Sequence, residues 1–141
     1  MATDLEKQTK EIYAAFNAQD FQKFLSFHTD DVITVSVADG SVIHGKEELR
    51  AFVNSYFVGF KDFKMELTSS FTSGNRQCEE WVISGTHTGV FQGLAATGKH
   101  ISVHGILVRE MKNGKTSHVS NYFDSATLMR QLGLLPPIPQ K

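Results

Sequence analysis

The side chains whose types could do proton chemistry in this chain are a few histidines, one asparagine and one aspartate. His104, in HISVHGILVRE, shares a strand face with Ile106 and Val108. An imidazole titrates near neutrality, which makes His104 the natural proton-transfer candidate, although a lone His on an apolar face is more often a hydrogen-bonded core residue. His87, in GTHTG, falls on the same strand face as Trp81 and reads either as a hydrogen bond to a turn or as pocket lining. His44, beside Gly45, reads as a solvated or helix-capping residue. Asn121 alternates with Val119 and Phe123, so it shares their face. A buried amide there is either structural or a neutral donor to a ligand carbonyl or enolate. Asp124 reads first as a helix cap and second as a carboxylate at a pocket rim. Phe52, Tyr56 and Trp81 read as core, and in a pocketed fold core and pocket wall are the same residues. A metal site would need three of the histidines to converge, and nothing in their spacing requires it, so no metal and no cofactor are expected.

Familiar motifs do not supply an alternative. GLAATGKH (Gly93 to His100) has the GxxxxGK spacing of a phosphate-binding loop. His100 stands where a magnesium-binding Ser or Thr belongs, and a strand follows where a helix is required. HExxH and GxSxG are missing. A net charge of −1 argues against a nucleic-acid surface. The lone cysteine, Cys78, excludes an intramolecular disulfide and a cysteine-based zinc site. The start MATDLEKQTK lacks a signal-peptide core and no apolar run approaches a membrane span, so a cytoplasmic, single-domain protein over residues 1–141 is expected.

The elements that must position these residues follow from periodicity. Asp4 to Asn17 places Leu5, Ile12, Ala15 and Phe16 on one helical face, and Phe21 to His28 reads as a second short helix capped by Asp20. Val32 to Val37 and Ser41 to His44 form a hairpin around ADG. Lys46 to Phe60 carries the strongest helical spacing, from Leu49 to Phe60. From Phe63 onward the period becomes two, and successive strands include Trp81 to His87, His100 to Glu110 and, after the Asn113-Gly114 turn, Thr116 to Phe123. A last helix from Ala126 to Leu132 stops at Gly133. Helices first and an antiparallel meander later give an α+β class.

GTHTGVFQG, TGK, the NGK turn and YFDSATLMRQLG together resemble the SnoaL-like polyketide cyclases, within the superfamily of ketosteroid isomerase and nuclear transport factor. AAFNAQD (Ala14 to Asp20) is similar to that superfamily's opening. The resemblance implies a cone-shaped α+β barrel: a strongly bent, mainly antiparallel sheet wrapped around the N-terminal helices, with an apolar pocket inside and a short C-terminal helix. It also implies a homodimer through the outer sheet face, which suits the two-sided apolar character of Ile101 to Val108. The family's acid/base Asp aligns with Asn121, the Trp that usually precedes it with Ser120, and its assisting His with Ile106 or Leu107. The ketosteroid isomerase acids align near Ser36 and Ile106, and its tyrosine near Ile12. Three readings stay open: a cyclase- or isomerase-type enzyme acting on a small apolar carbonyl compound, with His104 and Asn121 catalytic; a silent binder of such a molecule, lined by Phe52, Tyr56, Trp81, His87, Phe123 and Asp124; or a dimerisation module with a filled cavity.

Overall fold

The computed structural model describes residues 4–139; the first three residues and Gln140 and Lys141 lie outside it. α1 (Asp4–Asn17) buries Thr9, Ile12, Tyr13, Ala15 and Phe16, a stripe at spacings of three and four. Asp20 caps α2 (Phe21–Ser26) by accepting from the Lys23 amide at 3.1 Å. The expected continuation of that helix through His28 does not occur: His28 is the first residue of β1 (His28–Ser36). A hairpin leads to β2 (Ser41–His44), and α3 (Gly45–Gly59) buries Leu49, Val53 and Phe57. The remaining strands are β3 (Lys64–Ser73), β4 (Arg76–Thr86), β5 (His100–Lys112) and β6 (Lys115–Phe123). Asn113 and Gly114 both take positive φ, 53° and 78°, the two-residue hairpin that Asn-Gly favours.

The six strands form one sheet in the order β2-β1-β6-β5-β4-β3. All neighbours are antiparallel except β1 and β6, which run parallel. Register shifts in β1, in β3 after Leu67, and between Glu110 and Met111 add local bends, and the sheet curves around α1 and α3. Phe16 on α1 packs its ring against Phe24, Phe57 and Phe63 at centroid distances of 5.2–6.0 Å, joining three helices to the sheet's concave face.

Two amide side chains stand in for missing strands. Asn17 accepts from the Met65 amide and donates to its carbonyl, both at 2.8 Å, along the free edge of β3. Gln131 treats Ser102 in the same way at 2.8 and 2.9 Å, where β5 has run past the end of β6. That contact docks α4 (Ser125–Gln131) on β5. Asp124 caps α4, accepting from the Thr127 amide at 3.0 Å and its hydroxyl at 2.6 Å. Leu128 and Leu132 are buried, and Gly133 ends the helix with φ 80°. No helix among the described residues is long and apolar enough to cross a membrane.

The two faces of β5 divide cleanly. Ile101, Val103, Leu107 and Arg109 are buried on the concave side, whereas His100, Ser102, His104 and Ile106 are exposed on the other. The outward side of this strand is therefore half polar, and not apolar along its length as expected. Apolar character on the outer face runs across the strands instead, through Phe71, Cys78, Val108, Ser120, Val35 and Val42, which are successive register partners.

Candidate functional site

Between the helices and the concave face lies a cavity of about 100 Å³. Its sheet wall is built in register rows. One row is Gln77, Arg109, Val119 and Thr34; the next is Glu79, Leu107, Asn121 and Ser36; the third is Trp81, Gly105 and Phe123. α3 contributes Leu49, Phe52, Val53 and Tyr56, and α1 contributes Ile12, Tyr13 and Phe16. Gly105 is obligatory in the third row, because a methyl there would collide with the six-membered ring of Trp81. The missing side chain lets the indole lie on the strand backbone.

The row containing Arg109 closes the cavity with charge. Arg109 forms a two-pronged pair with Glu79, Nε to Oε2 at 2.7 Å and Nη2 to Oε1 at 3.0 Å, and donates from Nη1 to Thr116 at 2.9 Å. Both partners are buried. Burial works against the Arg109 charge, but the Glu79 carboxylate outweighs it, so the guanidinium keeps its proton. In the same register row Gln77 accepts from the Thr9 hydroxyl at 2.7 Å, while its Nε2 is buried without a partner among the described residues.

Two further polar side chains stand beside this pair. His28 is buried and bonds through Nδ1 to the Phe24 carbonyl at 2.9 Å. A carbonyl can only accept, so Nδ1 carries the proton and Nε2 keeps its lone pair. Burial, then the Arg109 charge, pushes the imidazole down to about 3, against the weaker pull of the Phe24 carbonyl. The ring is neutral at physiological pH. Tyr13 lines the same end, with its hydroxyl beside the Glu79 carboxylate. Burial and the Glu79 charge raise that phenol far above its ordinary value, so it stays protonated.

Toward the outer end the lining is aromatic and only half-buried at Phe52 and Phe123. Burial also raises Tyr56, to about 12. Asn121 projects from β6 between Val119 and Phe123, and its buried Oδ1 has no partner. The Trp81 indole N–H is likewise buried and unpartnered. Buried polar atoms are nearly always paired, so two orphans on the sheet wall of the cavity, from Trp81 and Asn121, mark where a ligand's polar groups would go.

Of the residues expected from sequence, Phe52, Tyr56, Trp81, Asn121 and Phe123 meet at the cavity. His104 does not. It is exposed on the outer face, beside Glu80 and Tyr122, because β5 turns its odd-numbered residues inward. His87 is fully buried but outside the cavity, stacked on Phe60 at 5.2 Å, with Nδ1 accepting from the Thr97 amide at 3.2 Å. It pins the Gly93–Lys99 loop, which is the turn-bonding role. Asp124 serves α4 and lies off the cavity. Sequence reasoning missed His28, Tyr13, Glu79 and Arg109. A signal existed for two of them: Glu79 keeps the inward phase of Trp81 and Ile83, and Arg109 that of Leu107.

A helix-backed, curved six-stranded sheet with a cavity on its concave face defines the fold of nuclear transport factor 2 and ketosteroid isomerase. Within that class the chain belongs to the SnoaL-like polyketide cyclase family, which it matches over residues 7–132. Among solved structures, TsrD from Streptomyces laurentii is similar with a TM-score of 0.84 at 22% identity, over 96% of this chain and 100% of that one. An NTF2-like protein of unknown function from Burkholderia pseudomallei K96243 gives 0.77 at 20%, over 93% and 98%. A hypothetical protein with a ketosteroid isomerase-like fold from Catenulispora acidiphila DSM 44928, in complex with trimethylamine, gives 0.77 at 15%, over 90% and 92%. These identities speak to the fold alone. No curated protein matches the chain in sequence.

Proposed function

We propose that the protein takes a small, largely apolar carbonyl compound into this cavity and promotes proton transfer on it. Asn121 would act as the neutral hydrogen-bond donor to the carbonyl or enolate oxygen. The carrying observation is the Asn121 amide: it stands on an apolar wall with one end buried and unpartnered. Rotating the amide by half a turn presents its NH₂ to an oxygen at that point. Asn cannot take up or release a proton near neutrality, so it stabilises charge without itself transferring the proton. His28, neutral and with no hydrogen-bond partner for Nε2 among the described residues, is the acceptor available inside the cavity, in place of His104.

The test is α-proton exchange of cyclohexanone in deuterated water, followed by NMR. Wild-type protein should accelerate exchange over buffer, and Asn121→Leu should lose at least tenfold of that acceleration, since one such donor is worth about 10²–10³ in rate. Binding without acceleration would favour the silent-binder reading. Asn121→Asp should restore a titrating group and make exchange pH-dependent.

We also propose self-association through the outer sheet face. The transverse row of Phe71, Val108, Val35 and Val42 supports it, with Phe71 64% and Val42 46% exposed.

A further inference from the structure

The outer end of the cavity holds a donor that the Asn121 reading leaves unused. Trp81 is the single tryptophan of the chain, 4% exposed, and it lines the cavity. Its indole N–H is buried with no acceptor among the described residues. That group can only donate, so what relieves it must be an acceptor atom brought in from outside. The ring is held from two sides. Its Cε2–Cζ2–Cη2 edge lies against the place a β-carbon of Gly105 would take, and the Phe123 ring stands 6.4 Å away between centroids. Cε2 is bonded to the indole nitrogen, so the N–H sits beside Gly105. Gly105 faces Phe123 across the β5–β6 register, and Leu107, the next inward position of β5, faces Asn121. Gly105 and Asn121 are therefore diagonal neighbours, roughly 7–8 Å apart, a span that long and aromatic side chains bridge.

We propose that Trp81 contacts the ligand directly, its indole N–H donating to the same carbonyl or enolate oxygen that Asn121 meets. This rests on the reading of the cavity given above and deepens it, because it fixes where the ligand's oxygen lies: at the outer end, between the Gly105 and Asn121 positions. A carbonyl oxygen has two lone pairs and takes one donor on each. Two hydrogen bonds of about 2.9 Å meeting at one oxygen leave their donors roughly 5 Å apart, a separation within reach of side chains on diagonal neighbours. The two residues differ in what they demand. The Asn121 amide can turn to offer either end, whereas the indole is held by Gly105 and Phe123 and offers only its N–H. Trp81 therefore selects an acceptor atom, and Asn121 adapts to it. Neither carries a charge, and both bonds strengthen as negative charge gathers on the oxygen. Gly105 is the positioning residue of the pair, because a side chain there would drive the indole off the strand.

Because the chain has one tryptophan, an isotope-labelled sample gives a single indole N–H signal in NMR, and that signal reports this position alone. Cyclohexanone and methylenecyclohexane share a shape, lack aromatic ring currents and differ at the oxygen. Cyclohexanone should move the signal downfield, and methylenecyclohexane should leave it nearly in place. Replacing the sole tryptophan by benzothienylalanine keeps the shape of the ring and removes only its N–H, so the protein should fold normally. That protein should bind cyclohexanone about tenfold more weakly and methylenecyclohexane unchanged, the value of one hydrogen bond. Combined with Asn121→Leu, its loss for cyclohexanone should depart from the product of the two single losses, as expected of two groups on one atom. Losses that simply multiply would put the donors on different atoms and overturn the shared oxygen. Cyclohexanone binding with an unmoved indole signal, or an equal loss of both ligands in the benzothienyl protein, would overturn Trp81 as a donor and leave the carbonyl reading standing. No cyclohexanone binding at millimolar concentration would remove the carbonyl reading and this assignment with it.

Discussion

The two ends of the cavity handle buried polarity in opposite ways. At the closed end, Glu79, Arg109 and Thr116 satisfy one another within 3.0 Å. Toward the outer end, Trp81 and Asn121 bury polar atoms that no group of the described residues meets. The first arrangement is architecture: removing any member leaves a charge or dipole stranded in a low-dielectric place. The second leaves capacity for a ligand, so the Asn121 amide can be exchanged at little structural cost. Tyr13 and His28 sit at the junction, beside the closed network, and the Nε2 of His28 has no hydrogen-bond partner among the described residues.

The largest expected effect tests the closed end. Arg109→Met leaves the Glu79 carboxylate buried without its partner and should cost about 3–5 kcal/mol in denaturant unfolding. The double variant Arg109→Met with Glu79→Leu should recover much of that loss. A double variant as unstable as the single would show that the two residues are not coupled.

Acid should reveal the same end next. The folded-state value of His28, about 3, lies below its ordinary 6.5, so the unfolded chain binds the proton more readily. Stability from this residue is therefore complete above pH 6.5 and falls as the pH drops toward 3. By pH 5 the loss should be about 2 kcal/mol. The groups that set this value are Arg109 on β5, Lys46 on α3 and the Phe24 carbonyl on α2. Melting curves of His28→Gln should be flatter between pH 7 and 5 than those of the wild type; an unchanged slope would assign the acid sensitivity elsewhere.

Outer-end changes should be milder. Asn121→Leu should alter stability by no more than about 1 kcal/mol, because it removes an unsatisfied group and keeps the volume. A loss as large as that of Arg109→Met would erase the contrast between the ends. Smallest of all, Phe71→Glu on the convex face should leave the melting temperature nearly unchanged while shifting sedimentation at micromolar concentration from dimer to monomer. A wild-type protein that sediments as a monomer would dispose of the interface.

The legibility of these regions in the sequence also differs. Local signals carried the elements: the stripe on α1, the caps at Asp20 and Asp124, and the Asn113-Gly114 turn are each decided within a few residues, and the structure keeps them. The Asn121 phase was equally legible, because Val119 and Phe123 flank it on one strand. The closed end was not. Glu79 and Arg109 lie 30 residues apart, and nothing short of the β4–β5 register brings them together. His104 misled for a related reason: Ile106 and Val108 made its face look interior, whereas the buried phase was that of Ile101, Val103 and Leu107. His28 was hidden by the apparent continuation of its helix. Its burial depends on β1 pairing with Thr116, far along the chain.

The parallel pairing of β1 with β6 also sets the order in which this protein can be made. Ser36 meets Asn121, a partner some 85 residues later, whereas every other strand pair joins near neighbours in sequence. Loop closure over that distance must be met before the contact returns anything, so this seam belongs to the late, slow part of folding. On the ribosome, the helices carrying Phe16, Phe21, Phe24 and Phe57 emerge long before the strand that completes the sheet beside them. The nascent chain must therefore carry exposed aromatic surface through most of its synthesis, the state most open to aggregation and to chaperone capture. The cavity comes into being only with its last wall, and Asn121 arrives on it.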